Sequence, residues 1–355
     1  MRTAYVLALL VSCCLLGGVG VAAAGATGTT ASPSVGGTAV LASDHVNQCA
    51  ADPPSDLSDP DGDTGDVIGW VDGYWYNEPI DVTGPALTES ELDTLVTRTA
   101  ARVEALRCLT YDQLPPTEMR TRDEHRSELE SQFESELTEA DGAAENARLA
   151  TALIAGQATD AIDLQLEVQT SFPAAFYDTQ ADFIGFITDN PDSIEIDQTI
   201  LAHELVHALQ DQNADLGPVF EQSTTDRFTS SLAVVEGDAT LVEEQYTENC
   251  ETGAWVDSCI RQSADPSLDV PSWPLTLEQL AAYNMPLVEE TFETEGWTGV
   301  NGLLKNTPDS TVEALEPDRY GEFEPALPAV EDLSTAEWDR VDLEIATTRC
   351  SDSTR

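Results

Sequence analysis

Between Thr225 and Asn249 the chain has no proline, and apolar residues stand at Phe228, Leu232, Val235, Ala239, Val242 and Tyr246. This repeating three-and-four spacing predicts a long amphipathic helix. A second helical register precedes it, with Leu201, Leu205, Ala208 and Leu209 at i, i+4, i+7 and i+8 forming an apolar stripe. Further upstream, Thr88-Glu89-Ser90-Glu91 has the form of a capping box and opens a helix running to about Leu109. Pro115 and Pro116 break it, a polar, charged helix follows to about Leu137, and a third runs from about Ala143 to Ala155. Ala174 to Tyr177 and Asp182 to Thr188 read as two strands joined through Asp178 to Ala181. Gly69 to Tyr76 is an aromatic cluster suited to a short strand or core plug. These elements predict an α+β fold, predominantly helical, with a small sheet.

The same pattern divides the chain. Residues 1–24 are almost uninterruptedly apolar after Met1-Arg2 and end in Ala22-Ala23-Ala24, so they read as a signal peptide or an N-terminal membrane anchor. Leu10-Val11-Ser12-Cys13 offers a third form, a lipobox with Cys13 as the lipidated residue. All three forms put the remainder outside the cytoplasm, extracellular or on the cell surface, touching membrane only through the N-terminal anchor. Residues 25–66 form a flexible acidic linker, Gly/Ala/Ser/Thr-rich to about Ser43 and acidic from Asp52 to Asp66. The expected divisions after it are an N-terminal helical subdomain over 67–138, a core over 139–325 and a C-terminal segment over 326–355.

Charge sharpens this picture. The chain carries 66 acidic and 15 basic residues, a formal net charge of −51, and its single lysine is Lys305. Nucleic-acid binding is excluded, because phosphate contacts need clustered Lys and Arg. Such self-repulsion destabilises a compact fold in dilute buffer and is screened in molar salt, where the Debye length is about 3 Å. The hydrophobic content of 41% separates this chain from disordered acidic sequences. A halophilic acidic protein is the expectation. Beyond the leader stand Cys49, Cys108, Cys250, Cys259 and Cys350. In an exported chain they are disulfide candidates, Cys250 with Cys259 closing a short loop and one of the five left over.

The candidate chemistry lies within Ala202-His203-Glu204-Leu205-Val206-His207. Residues four apart on a helix project side by side, so His203 and His207 can hold one metal ion. Glu204 borders the same face, where a carboxylate can take a proton from an attacking water. A metzincin continuation is excluded, since Gln210 and Asn213 stand where its glycine and third histidine belong. His45 and His125 lie in polar segments with no supporting pattern.

A carboxylate is therefore the better third ligand. Glu236 lies four residues after Leu232 and three before Ala239, inside the buried stripe of the second helix. An ionised group there costs several kcal/mol unless it is paired or bound to a metal. The adjacent Gly237 permits close helix approach. The alternatives are that Glu236 pairs with an arginine such as Arg227, or that Glu243, which meets the same geometric test, takes the ligand role. Asp238 points roughly 160° away from Glu236 on an ideal helix and is a poorer candidate.

On these residues the chain resembles the gluzincin division of zinc metallopeptidases, in which a second helix supplies the third ligand. The strings AHELVHALQDQ (202–212) and VVEGDATLVEEQ (234–245) are similar to a group of secreted metallopeptidases of bacteria and archaea, and most of all to haloarchaeal surface proteins. GWTGVNGLLKNTPDSTVEALEPDRY (296–320) extends the resemblance, which covers roughly 67–325. The group carries a histidine where this chain has Glu316. The resemblance implies a zincin-like metallopeptidase core over 139–325, metal ligands His203, His207 and Glu236 for one Zn2+ per chain, and catalytic Glu204.

The functional expectation is an exported, surface-associated zinc-dependent peptidase acting on a peptide or protein substrate. Phe183 to Thr188, immediately before the metal helix, is the candidate strand for pairing with the substrate backbone, and Tyr246 and Tyr320 are candidate donors to the tetrahedral intermediate. The competing class is a cell-surface or envelope interaction protein with an inactive or structural metal site. A retained Glu204 argues against a purely structural one.

Overall fold

A computed structural model describes residues 49–326, apart from 51, 61–66, 83–86, 152–155, 157–158, 172–174, 189–193, 223, 262–285 and 325. The apolar leader with Cys13, the Gly/Ser/Thr-rich linker, His45, Cys350 and residues 327–355 lie outside the described residues. The elements begin with a small hairpin, β1 (Trp70–Val71) and β2 (Tyr74–Trp75), followed by α1 (Glu89–Arg107), β3 (Thr117–Thr121), α2 (Arg122–Glu136), α3 (Glu139–Thr151) and α4 (Ala161–Ser171). Next come β4 (Ala175–Asp178), β5 (Phe183–Thr188), α5 (Gln198–Ala214), α6 (Gly217–Phe220) and α7 (Thr225–Thr252). Then α8 (Pro286–Lys305), α9 (Thr311–Leu315) and a 3-10 turn at Pro317–Arg319 close the order. The fold is α+β and mostly helical. None of the described helices is long and apolar enough to cross a membrane.

Helix α1 starts where its capping box predicts. Thr88 Oγ1 accepts from Glu91 N, and the Glu91 carboxylate accepts from Thr88 N at 2.8 Å. Cys108 ends it in the left-handed conformation and is held by a disulfide to Cys49. Cys250 pairs with Cys259, as the short spacing predicts.

The sheet differs from the expected two-stranded unit. Its order is β3-β5-β4, with β3 parallel and β4 antiparallel to β5. The segment after Pro115-Pro116 is thus first a strand, and the polar helix begins only at Arg122, capped by Thr121 and Glu124. A helix over Ala161–Ser171 also stands where the sequence pattern predicts none. Being central, β5 is buried at all six residues. Its Gly185 faces Phe176 across the ladder, and the Phe176 ring occupies the space of a Cβ there, which would lie 2.3 Å from the ring.

The principal core surrounds α5. It draws Leu95, Val96 and Val103 from α1, Ile184 and Phe186 from β5, Leu201, Leu205 and Leu209 from α5, and Val242 and Tyr246 from α7. One core therefore spans both sides of residue 138. A second cluster joins Val234 and Val235 of α7 to Leu287, Val300 and Leu303 of α8. Because α1, α7 and β4 pack around α5, nearly every residue from Gln198 to Gln210 is buried, not only its apolar stripe. The ligand face of this helix is internal too.

Candidate metal centre

Asp197 caps α5 by accepting from Thr199 N at 2.9 Å, which fixes the start of the helix that carries the histidines. Further along, His203 and His207 meet edge to face, their ring centroids 4.6 Å apart and their planes at 84°. Their Nε2 atoms approach to 3.0 Å. Glu236, from α7, brings its Oε2 to 3.3 Å from His203 Nε2 and 3.7 Å from His207 Nε2. The three ligand atoms lie within 4.8 Å of one another, and all three residues are buried. Lone-pair donors converge this closely only with a proton or a cation between them. Two imidazoles and a carboxylate without thiolate form a set that a metal ion fits.

Glu236 and Glu243 differ in which ring nitrogen of His203 each faces. Residues seven apart on a helix lie within about 20° of each other around its axis and about 10 Å apart along it. His203 lies between the two carboxylates. Glu236 meets its Nε2, the atom turned towards His207, whereas Glu243 Oε2 lies 3.3 Å from Nδ1 on the far side of the ring. Glu236 is thus the carboxylate that could share one ion with both histidines, while Glu243 lies against the opposite edge of the His203 ring. Arg227, the alternative partner for Glu236, pairs instead with Asp309 at 2.8 Å.

Glu204 is 3% exposed and accepts from the backbone N–H of Tyr177 at 2.9 Å. Burial pushes its carboxyl up to about 8, against the opposing pull of His203. Burial works to lower His203, but Glu236, Glu243 and Glu204 together outweigh it and push the imidazole up to about 10. Burial, reinforced by the His203 charge, holds His207 below the ordinary histidine value. His207 Nδ1 meets Gln210 Oε1 at 3.0 Å, which leaves Nε2 as the atom facing the site.

Other expectations are redirected. Phe183 to Thr188 has both edges paired, because β3 occupies the one left open in a two-stranded reading. Among the described residues the edge strands are β3 and β4, and on β4 the Tyr177 N–H already meets Glu204. Tyr246 is fully buried, its hydroxyl bonded to Gln198 Nε2 at 2.7 Å, and Tyr320 donates to the Asn306 carbonyl. Neither hydroxyl is a donor at this site. Glu316 is exposed and paired with Arg319 at 2.7 Å. His125 packs against Phe176, on α2. Sequence reasoning missed Gln210 and Tyr177. Gln210 was detectable, since it stands three residues after His207 and so on the same helix face, whereas Tyr177 acts through its backbone and leaves no mark in residue type. No family model, curated protein or solved structure matches this chain.

Proposed function

We propose that the protein is an exported zinc-dependent peptidase with a zincin-like core, in which His203, His207 and Glu236 hold the metal and Glu204 is the general base. The observation that carries this reading is the buried convergence of His203, His207 and Glu236 beside a carboxylate, Glu204, that is not in the ligand set. Zinc bound there supplies Lewis acidity, polarising a carbonyl and activating water near neutral pH. Glu204 takes the proton of the attacking water and passes it to the leaving amine nitrogen. Tyr177 N–H, on β4, holds the carboxylate in place. The two disulfides are in keeping with an oxidising compartment.

A second reading, a surface interaction protein with a structural metal, is favoured by the near-complete burial of the site: His203 is 0% and His207 3% exposed. Cleavage of a peptide library in multimolar salt with zinc, read by mass spectrometry, separates the two. The peptidase reading predicts cleavage by wild type, reduced by about 10²- to 10⁴-fold in Glu204→Gln. Zinc-loaded wild type without cleavage, or equal cleavage by both proteins, supports the second reading.

A further inference from the structure

The back of His207 leads into a chain of polar groups on four further helical positions, Gln210, Asp238, Arg107 and Asn301, the first three buried. Gln210 Oε1 faces His207 Nδ1, while Gln210 Nε2 donates to the Val235 carbonyl at 2.9 Å and to Asp238 Oδ2 at 2.8 Å. Asp238 in turn receives Arg107 Nε at 2.7 Å and Nη2 at 3.1 Å. Arg107 Nη2 also donates to Asn301 Oδ1 at 2.7 Å, and its guanidinium lies 4.5 Å over the Trp297 ring. Gln210, Asp238 and Arg107 are at most 1% exposed.

This chain of bonds has only one polarity. An amide can be turned end for end, but a backbone carbonyl and a carboxylate can only accept, so the Gln210 nitrogen must face Val235 and Asp238. Its oxygen then faces His207, and an oxygen that only accepts requires the hydrogen on Nδ1. That tautomer leaves the lone pair on Nε2, the atom that lies 3.0 Å from His203 Nε2. The charge of Asp238 is what holds the amide, and Arg107 is what makes an ionised Asp238 tolerable at zero exposure.

We infer that Gln210 and Asp238 are positioning residues that set the tautomer and orientation of His207, anchored by Arg107 to α1 and α8. The inference rests on His207 being a metal ligand, yet its core is a property of the metal-free protein. An amide three residues from a histidine can also be a plain helix-surface pair; here Gln210, Asp238 and Arg107 are buried, and the amide is fixed from its other end.

Imidazole ¹⁵N NMR on the full chain in multimolar salt, stripped of metal and assigned against His207→Ala, reads the tautomer directly. The relay predicts Nδ1–H with an unprotonated Nε2 in wild type. It predicts loss of that preference in Gln210→Met, with the Kd for Zn2+ raised about 10- to 100-fold. An Nε2–H tautomer in wild type overturns the inference, as does Gln210→Met with tautomer and Kd unchanged. If wild type takes up no zinc but shows the Nδ1–H form, lost in Gln210→Met, the relay stands and the metal reading falls.

Discussion

Asp257 is the sharpest place to test how this fold tolerates buried charge. Arg98 and Arg102, one turn apart on α1, are 1% and 0% exposed, and both direct their guanidinium groups at its carboxylate. The remaining acceptors are neutral: Glu78 O for Arg98, and Tyr76 O with the Tyr246 hydroxyl for Arg102. Asp257→Ala therefore leaves two buried cations without a counter-charge. Breaking a buried ion pair costs about 3–5 kcal/mol. The Asp257 side chain is 21% exposed, and discounting for solvent gives about 2–4 kcal/mol. That is a large part of the roughly 5–15 kcal/mol by which domains are stable. The assay is urea unfolding in multimolar NaCl, where the buried pair is little screened. The transition midpoint should fall at constant slope, with Asp257→Asn intermediate. A change below about 0.5 kcal/mol in Asp257→Ala would refute the reasoning and mean that the neutral acceptors suffice.

Three further outcomes are expected. With a net charge of −51, the melting temperature should rise steeply from dilute buffer to multimolar KCl or NaCl; equal values in both would contradict a halophilic fold. His125 is held at about 4, below its ordinary 6.5, by burial and then by Arg120 and Arg122. Its stabilising contribution is therefore present above pH 6.5 and lost as pH falls towards 4, where the unfolded chain alone takes the proton. That separation is worth roughly 3 kcal/mol. Wild type should lose about this much more than His125→Phe between pH 7 and 4, measured by urea unfolding at each pH, and parallel profiles would count against it. Replacing Cys250 and Cys259 with serine should cost about 2–3 kcal/mol from loop closure alone. The same loop carries Asp257, and Ile260 meets both the backbone and side chain of Gln198 at the start of α5, so hydrogen exchange should quicken there. Unchanged exchange at α5 would uncouple that loop from the metal helix.

Much of the site is legible in the sequence because helical spacing is a local property. His203 and His207 are placed by 3.6 residues per turn, and Glu236 by its conflict with an apolar stripe. Asp238 is placed as lying away from the metal for the same reason. What depends on distant partners is not legible. Thr117 to Thr121 is polar and follows two prolines, and only its pairing with β5 makes it a strand. That missing strand is also why Phe183 to Thr188 reads as an open edge. In α4, Ile162, Leu164, Leu166 and Val168 alternate while Ala161, Leu164 and Val168 stand at i, i+3 and i+7, so neither period dominates. Arg107 finds Asp238 131 residues away, and no spacing rule reaches that far.

Metal content is the most direct measure of the site. Mass spectrometry of protein purified in multimolar salt and supplied with zinc should find about one ion per chain in wild type, and loss of it in both His207→Ala and Glu236→Ala. Glu243→Ala, which removes an orienting group and not a ligand, should retain the ion at lower affinity. A wild-type chain that binds no metal, or a Glu236→Ala chain that binds it as wild type does, would contradict the ligand set and the function drawn from it.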